Sequence, residues 1–132
     1  VSIFSGVQPD PSTLENSWTS YKASNAVFLA HFSAPTWTSN SSSMAAGNVC
    51  LFTSTTATGN ATPNHSGTAT WAVIWDSTVG AAPNASVIPT TQYIIVDVGD
   101  MLSSSAVRMV SPTVSTSLET RIEDIGFTLK QP

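Results

Sequence analysis

Apolar residues along this chain come in short runs, and none holds the 3.6-residue spacing of an amphipathic helix for long. The runs are Val1–Phe4, Val27–Ser33, Val49–Thr53, Thr68–Asp76, Tyr93–Val98, Ala106–Val110, Thr113–Leu118 and Ile122–Lys130, with a shorter piece at Ser86–Ile88. Gly, Pro, Asn and Ser separate them, which is how all-β chains are punctuated. In Val27–Ser33, Val27, Leu29 and His31 lie opposite Phe28, Ala30 and Phe32. Both faces are largely apolar, as in a strand covered on both sides. Thr68–Asp76 alternates most clearly. Ala69, Trp71, Val73 and Trp75 fall on one face, with Thr68, Thr70, Ala72, Ile74 and Asp76 on the other. Two tryptophans four apart on one strand face need a surface to stack on. In the last run Ile125, Phe127 and Leu129 oppose Asp124, Thr128 and Lys130, the pattern of a half-exposed strand.

The pattern predicts an all-β, single-domain β-sandwich over residues 1–132, jelly-roll-like, with about eight strands. The Asp10-Pro11 start signal predicts a short helix within Pro9–Ser20. Ser39–Ser43 and Ser54–Ser66 read as polar loops, and a loop as long as the second is usually a binding element or an arm.

Composition narrows the function. Hydrophobic residues make up 41% of the 132, enough for a core, which excludes global disorder. Charged residues are only 9%, and Ser and Thr fill the gap at about 30%. Four Lys and Arg against eight Asp and Glu give a net charge of -4, too few cations for a phosphate-tracking stripe, so no nucleic-acid partner is expected. No apolar run approaches the roughly 20 residues of a helical membrane span, and no membrane partner is expected. The start, Val1-Ser2-Ile3-Phe4, lacks the basic region and long apolar stretch of a signal peptide, though a processed chain would look the same.

Candidate chemistry is sparse. The single Cys50, flanked by Val49, Leu51 and Phe52, reads as a buried structural thiol. His31, inside an apolar strand, reads as a packed or hydrogen-bonded core residue, and His65 as a solvated loop residue. Neither has a partner at a metal-ligand spacing, and there is no Gly-x-Ser-x-Gly elbow. Asp97 and Asp100 sit at a strand end, where Asp100 reads as a turn acid and a weak calcium site is the alternative. Glu119, Glu123 and Asp124 read as a solvated edge. No catalytic residue, metal or cofactor is expected, and the chain reads as a non-enzyme. Four triplets match the glycosylation pattern, at Asn40, Asn60, Asn64 and Asn84, a mild excess over chance in a chain this rich in Ser and Thr. Trp71 and Trp75 read as core. Trp18 and Trp37 fall at loops or strand margins and divide evenly between packing and partner contact.

Several segments, in order, resemble small virion proteins of tailed bacteriophages. Ile3-Phe4-Ser5-Gly6-Val7-Gln8-Pro9 is similar to their opening strand and Ser/Thr-Gly-x-Gln-Pro motif. Gly67-Thr68-Ala69-Thr70-Trp71 through Asp76-Ser77 resembles their Gly-Thr-Ala strand. Asp97-Val98-Gly99 with Met101-Leu102-Ser103, and the closing Phe127-Thr128-Leu129, resemble later segments. The insert at Ser54–Ser66 and extra residues between Val79 and Gln92 depart from the pattern. The resemblance implies a capsid decoration, or cement, protein on the outer surface of the virion. Its partner would be the major capsid protein, and it would act as a homo-oligomer, dimer or trimer. The segment 1–20 and the loop 54–66 would be its arms. The partner-binding candidates are Val1, Ile3, Phe4, Gln8, Trp18, Trp37, Asn60, Asn64 and His65. A tail-fibre or carbohydrate-binding β-sandwich module is the alternative, motivated by the aromatics and polar loops; a hydrolase is a distant third.

Overall fold

A computed structural model describes residues 1–10, 26–32, 38–39, 48–54, 60–75 and 93–130. The expected helix beyond residue 10, the strand at Ser86–Ile88, Trp18 and Trp37, and the triplets at Asn40 and Asn84 lie outside the described residues. So do the side chains of Cys50, Asn60, Trp75, Phe127 and Leu129.

The described residues form strands and no helix, so the fold is all-β and sandwich-like. The longer strands are β1 (Ser2–Gly6), β2 (Ala26–His31), β4 (Asn48–Ser54), β7 (Trp71–Trp75), β8 (Tyr93–Asp100), β9 (Val107–Met109) and β11 (Thr120–Lys130). Four short ones join them: β3 (Thr38–Ser39), β5 (Asn60–Ala61), β6 (Gly67–Thr68) and β10 (Thr113–Val114). The nine-stranded sheet runs β2-β1-β7-β8-β9-β11-β4-β3, with β5 against β11, and β6 and β10 pair separately. Every pairing is antiparallel except β8 with β9. Parallel neighbours normally need a long crossover. Here the overlap is short, from Val98↔Val107 to Asp100↔Met109, so residues 101–106 suffice to double back.

One core cluster contains Ile3, Leu29 and Ala30 from the β1–β2 side together with Val107, Met109, Ile122 and Ile125 from β9 and β11. Strands far apart in sheet order share that core, so the sheet curls back over it. A second cluster, Phe4, Phe28, Trp71 and Val73, covers the other face of the β2-β1-β7 half. The Trp71 ring stacks on Phe4 at 4.3 Å and 10°, and Phe28 meets Phe4 at 5.7 Å and 59°.

Two irregularities decide which side chains reach the core. Pairing of β1 with β2 slips between Ile3 and Phe4, leaving Leu29 as the extra residue. Leu29 and Ala30 are neighbours in sequence, and strict alternation would place them on opposite faces. The bulge lets both enter the same cluster. The same happens in β11, where Glu123 is the extra residue between Ile122↔Met109 and Asp124↔Arg108. Ile122 and Ile125 then share the core despite their odd spacing.

The clean alternation predicted for residues 68–76 is broken. Gly67–Thr68 pairs with β10, whereas Trp71–Trp75 pairs with β1 and β8. Between them the Ala69 N–H donates to the Pro112 carbonyl at 2.8 Å and the Thr70 N–H to that of Phe4 at 2.9 Å. The crossing turns Ala69 into the main core beside Ala72 and Ile74, away from Trp71 and Val73. On the opposite face Ala72 and Ile74 are buried too, whereas Thr68 and Thr70 are exposed.

Candidate partner-binding surface

The register fixes where strand ends meet. β8 and β9 run parallel and finish together at Asp100↔Met109, and β11 enters past them at Ile122↔Met109. Residues just after Asp100, just after Met109 and just before Thr120 therefore emerge at one end of the sheet. Trp71, opposite Phe4 and Asp97, brings the end of β1 to the same place. The Thr70 hydroxyl donates to the Gly6 carbonyl there, at 2.6 Å. Gly6 has φ 93°, a conformation a side chain would strain, and this re-aims the chain as it leaves the sheet.

The large apolar side chains exposed among the described residues all lie at this end. They are Val7, Val27, Met101, Leu102, Val110 and Leu118. Leu102 is 96% exposed. It is not on a loose loop. The Asp100 carboxylate accepts the Leu102 N–H at 3.0 Å, and the Asp100 carbonyl accepts the Ser103 N–H at 3.1 Å and its hydroxyl at 2.7 Å. Asp97 accepts the Ala106 N–H at 2.9 Å, which pins the far side of the connection. The connection then lies flat on β8: a Cβ at Gly99 would collide with the side chains of Ser103 and Ser105. Asp100 is a turn acid as expected, and both carboxylates are engaged by backbone amides. No group of three potential metal ligands occurs among the described residues.

Beside this turn, β10 and its flanking residues enclose an open groove of about 470 Å³. Val110, Val114 and Leu118 give it aliphatic walls, and Glu119 and Arg121 stand on its rim. Val110 is 70% and Leu118 67% exposed, while Val114 is rooted in the core. The acids of β11 are not simply solvated. Asp124 pairs with Arg108 directly across the β9–β11 ladder, and Glu123 pairs with Arg121 at 3.1 Å.

The expected partner residues divide sharply. Val1, Ile3 and Phe4 are 5%, 0% and 0% exposed, so they are core residues and not an arm; β1 is held between β2 and β7, which leaves it no free edge, and a core cluster covers each of its faces. Gln8 is exposed just beyond Gly6. Asn64 and His65 are exposed but anchored. The Asn64 N–H donates to the carbonyl of the bulged Leu29 at 2.6 Å, and His65 Nδ1–H to that of Phe28 at 2.9 Å. This staples residues 62–66 along β2 and satisfies carbonyls that the bulge and the sheet edge leave over. His31 is half-buried with Nδ1 3.4 Å from the Ser2 hydroxyl. Its pKa is lowered by burial and secondarily by the Val1 amine.

Sequence reasoning missed Met101, Leu102, Val110 and Leu118 as surface residues. The available signal was turn chemistry. Asp100 followed by a serine run at 103–105 favours a side-chain-capped turn, which leaves the two residues inside it no core to enter. Comparison with family models, curated proteins and solved structures finds nothing that matches this chain.

Proposed function

We propose that the chain is a structural protein of a tailed-bacteriophage particle, a capsid decoration protein that binds the outer face of the major capsid shell and does no catalysis. The observation that carries this reading is the gathering of exposed aliphatic side chains at one end of a charge-poor all-β body. A cement protein must bury a large surface against a repeating lattice. Unpaired charges are expensive to bury, whereas hydroxyl and aliphatic groups desolvate at lower cost. The ordered sequence resemblance points the same way, with Gly67–Trp71 and Asp97–Ser103 both contributing to the end described above.

The test is co-sedimentation with purified, expanded shells of the major capsid protein encoded alongside this chain. Saturable, stoichiometric binding that raises the temperature at which shells disassemble is expected. No binding to expanded shells, or binding to glycans abolished by Trp18→Ala or Trp37→Ala, overturns the reading and favours a carbohydrate-binding module.

A further inference from the structure

We infer that residues 62–66 are a releasable guard on the edge of β2, and that an uncovered β2 pairs with the β2 of a second copy. The inference stands on geometry and does not rest on the virion reading.

β2 ends the nine-stranded sheet, so one of its edges has no strand beside it among the described residues. Its sequence, Ala26-Val27-Phe28-Leu29-Ala30-His31, contains no Pro, Gly, Lys, Arg, Asp or Glu. Charges and prolines are what normally stop an edge strand from pairing with another chain. Two devices replace them here. The bulge at Leu29 interrupts the edge, and residues 62–66 cover it. The Asn64 N–H on the Leu29 carbonyl and the His65 Nδ1–H on the Phe28 carbonyl take the outward acceptors at the middle of the strand. An added strand needs the same two carbonyls, so guard and strand exclude each other.

The guard is held firmly at its ends and lightly in between. Ala61 pairs with Thr120 and lies in the core. Gly67 and Thr68 pair with β10, and the Ser66 hydroxyl accepts the Thr116 N–H at 3.1 Å. Thr62, Asn64, His65 and Ser66 are exposed, and Pro63 is the one buried residue among them. Residues 62–65 therefore lift from β2 by breaking two hydrogen bonds and exposing one proline, with the strands on both sides left in place. The uncharged edge then selects its partner. Two copies of β2 meet without charge repulsion, and antiparallel pairing about a two-fold axis satisfies both edges at once.

Sedimentation velocity over a concentration series tests this, with His65→Ala and Asn64→Pro as variants. The first removes the side-chain donor to Phe28 and the second the backbone donor to Leu29. Circular dichroism melts verify folding, and if Asn64→Pro does not fold, His65→Ala decides. Losing one hydrogen bond shifts the closing equilibrium by about tenfold, so each variant should associate at about tenfold lower concentration than the parent chain. The decisive arm adds Val27→Lys to His65→Ala. Val27 is 45% exposed, and a lysine on the uncovered edge should abolish the gained association. Variants that associate no more readily than the parent, or a gain that survives Val27→Lys, overturn the inference. So does a parent chain whose Asn64 amide exchanges with solvent as fast as an open loop, because no guard is then closed. Shell binding is measured separately, so a failure here is distinct from a failure of the decoration role.

Discussion

β7 and the segment from Asp100 to Arg121 use apolar residues in different ways. In β7 the described side chains Trp71, Ala72, Val73 and Ile74 are all buried, two in each core cluster. Between Asp100 and Arg121 the strands shrink to two or three residues, and turns closed by the Asp100 carboxylate, the Ser103 and Ser111 hydroxyls and the Ser115 carbonyl leave Met101, Leu102, Val110 and Leu118 exposed. The first region puts all its described side chains into the core. The second sends Val107, Met109 and Val114 into the core as well, but its turns leave Met101, Leu102, Val110 and Leu118 exposed.

The largest way to break this comparison is to empty the first region. Trp71→Ala removes the ring stacked on Phe4 at the centre of the second cluster. Large-to-small aromatic changes in a core cost about 3–5 kcal/mol, a large share of a stability that is about 5–15 kcal/mol for an ordinary domain. Urea unfolding should show the free energy of unfolding extrapolated to water falling by that amount, with Phe4→Ala close behind. A change below about 1 kcal/mol would mean that the cluster is not packed as described.

A middle-sized effect comes from Gly99, where the two regions meet. Gly99→Ala drives a methyl into Ser103 and Ser105, and overpacking of this kind costs about 1–3 kcal/mol. Combining it with Ser103→Gly should recover part of the loss, because the pair shares one space. Full additivity in that double-mutant cycle would show that the connection does not lie on β8.

His31 gives a smaller, pH-dependent effect. Burial lowers its pKa in the folded state, so the unfolded chain binds the proton more readily. The neutral ring's contribution is fully present above the ordinary histidine pKa of about 6.5 and is lost as pH falls through the lowered folded value. The buried Val1 amine, whose pKa burial lowers to about 5, also loses its stabilising contribution over the same window. Stability should therefore decline from pH 7.5 toward 5.5, and His31→Gln should make that slope shallower without abolishing it. A slope unchanged by the substitution would assign the whole decline to the Val1 amine.

The legibility of the sequence follows the same division. Short apolar runs bounded by turn residues located every long strand in the described residues, because burial leaves a direct trace in residue type. Period-two alternation failed where backbone irregularity overrides period. The bulges at Leu29 and Glu123 each put residues of mismatched spacing into one core, and the crossing at Ala69–Thr70 split one run into two strands in different sheets. Val1, Ile3 and Phe4 were misread for another reason. An apolar chain start looks alike whether it reaches out to a neighbour or fills a central strand, and only its pairing with both β2 and β7 decides. Asn64 and His65 carry no sequence trace of their bonds to β2, since those depend on carbonyls that a bulge and a sheet edge leave free.

The smallest effect on stability should come from the second region, and it separates the two regions most cleanly. Leu102→Ser and Leu118→Ser alter side chains that are 96% and 67% exposed, and surface changes of this kind stay within about 0.5 kcal/mol. Their melting curves should overlay that of the parent chain. Binding to expanded shells should weaken while stability does not. A core position cannot behave this way, because removing its contacts lowers stability before it reaches any partner. If Leu102→Ser instead destabilises the fold by more than about 1 kcal/mol, the turn is a packed element, and the contrast between a filled region and an open one is lost.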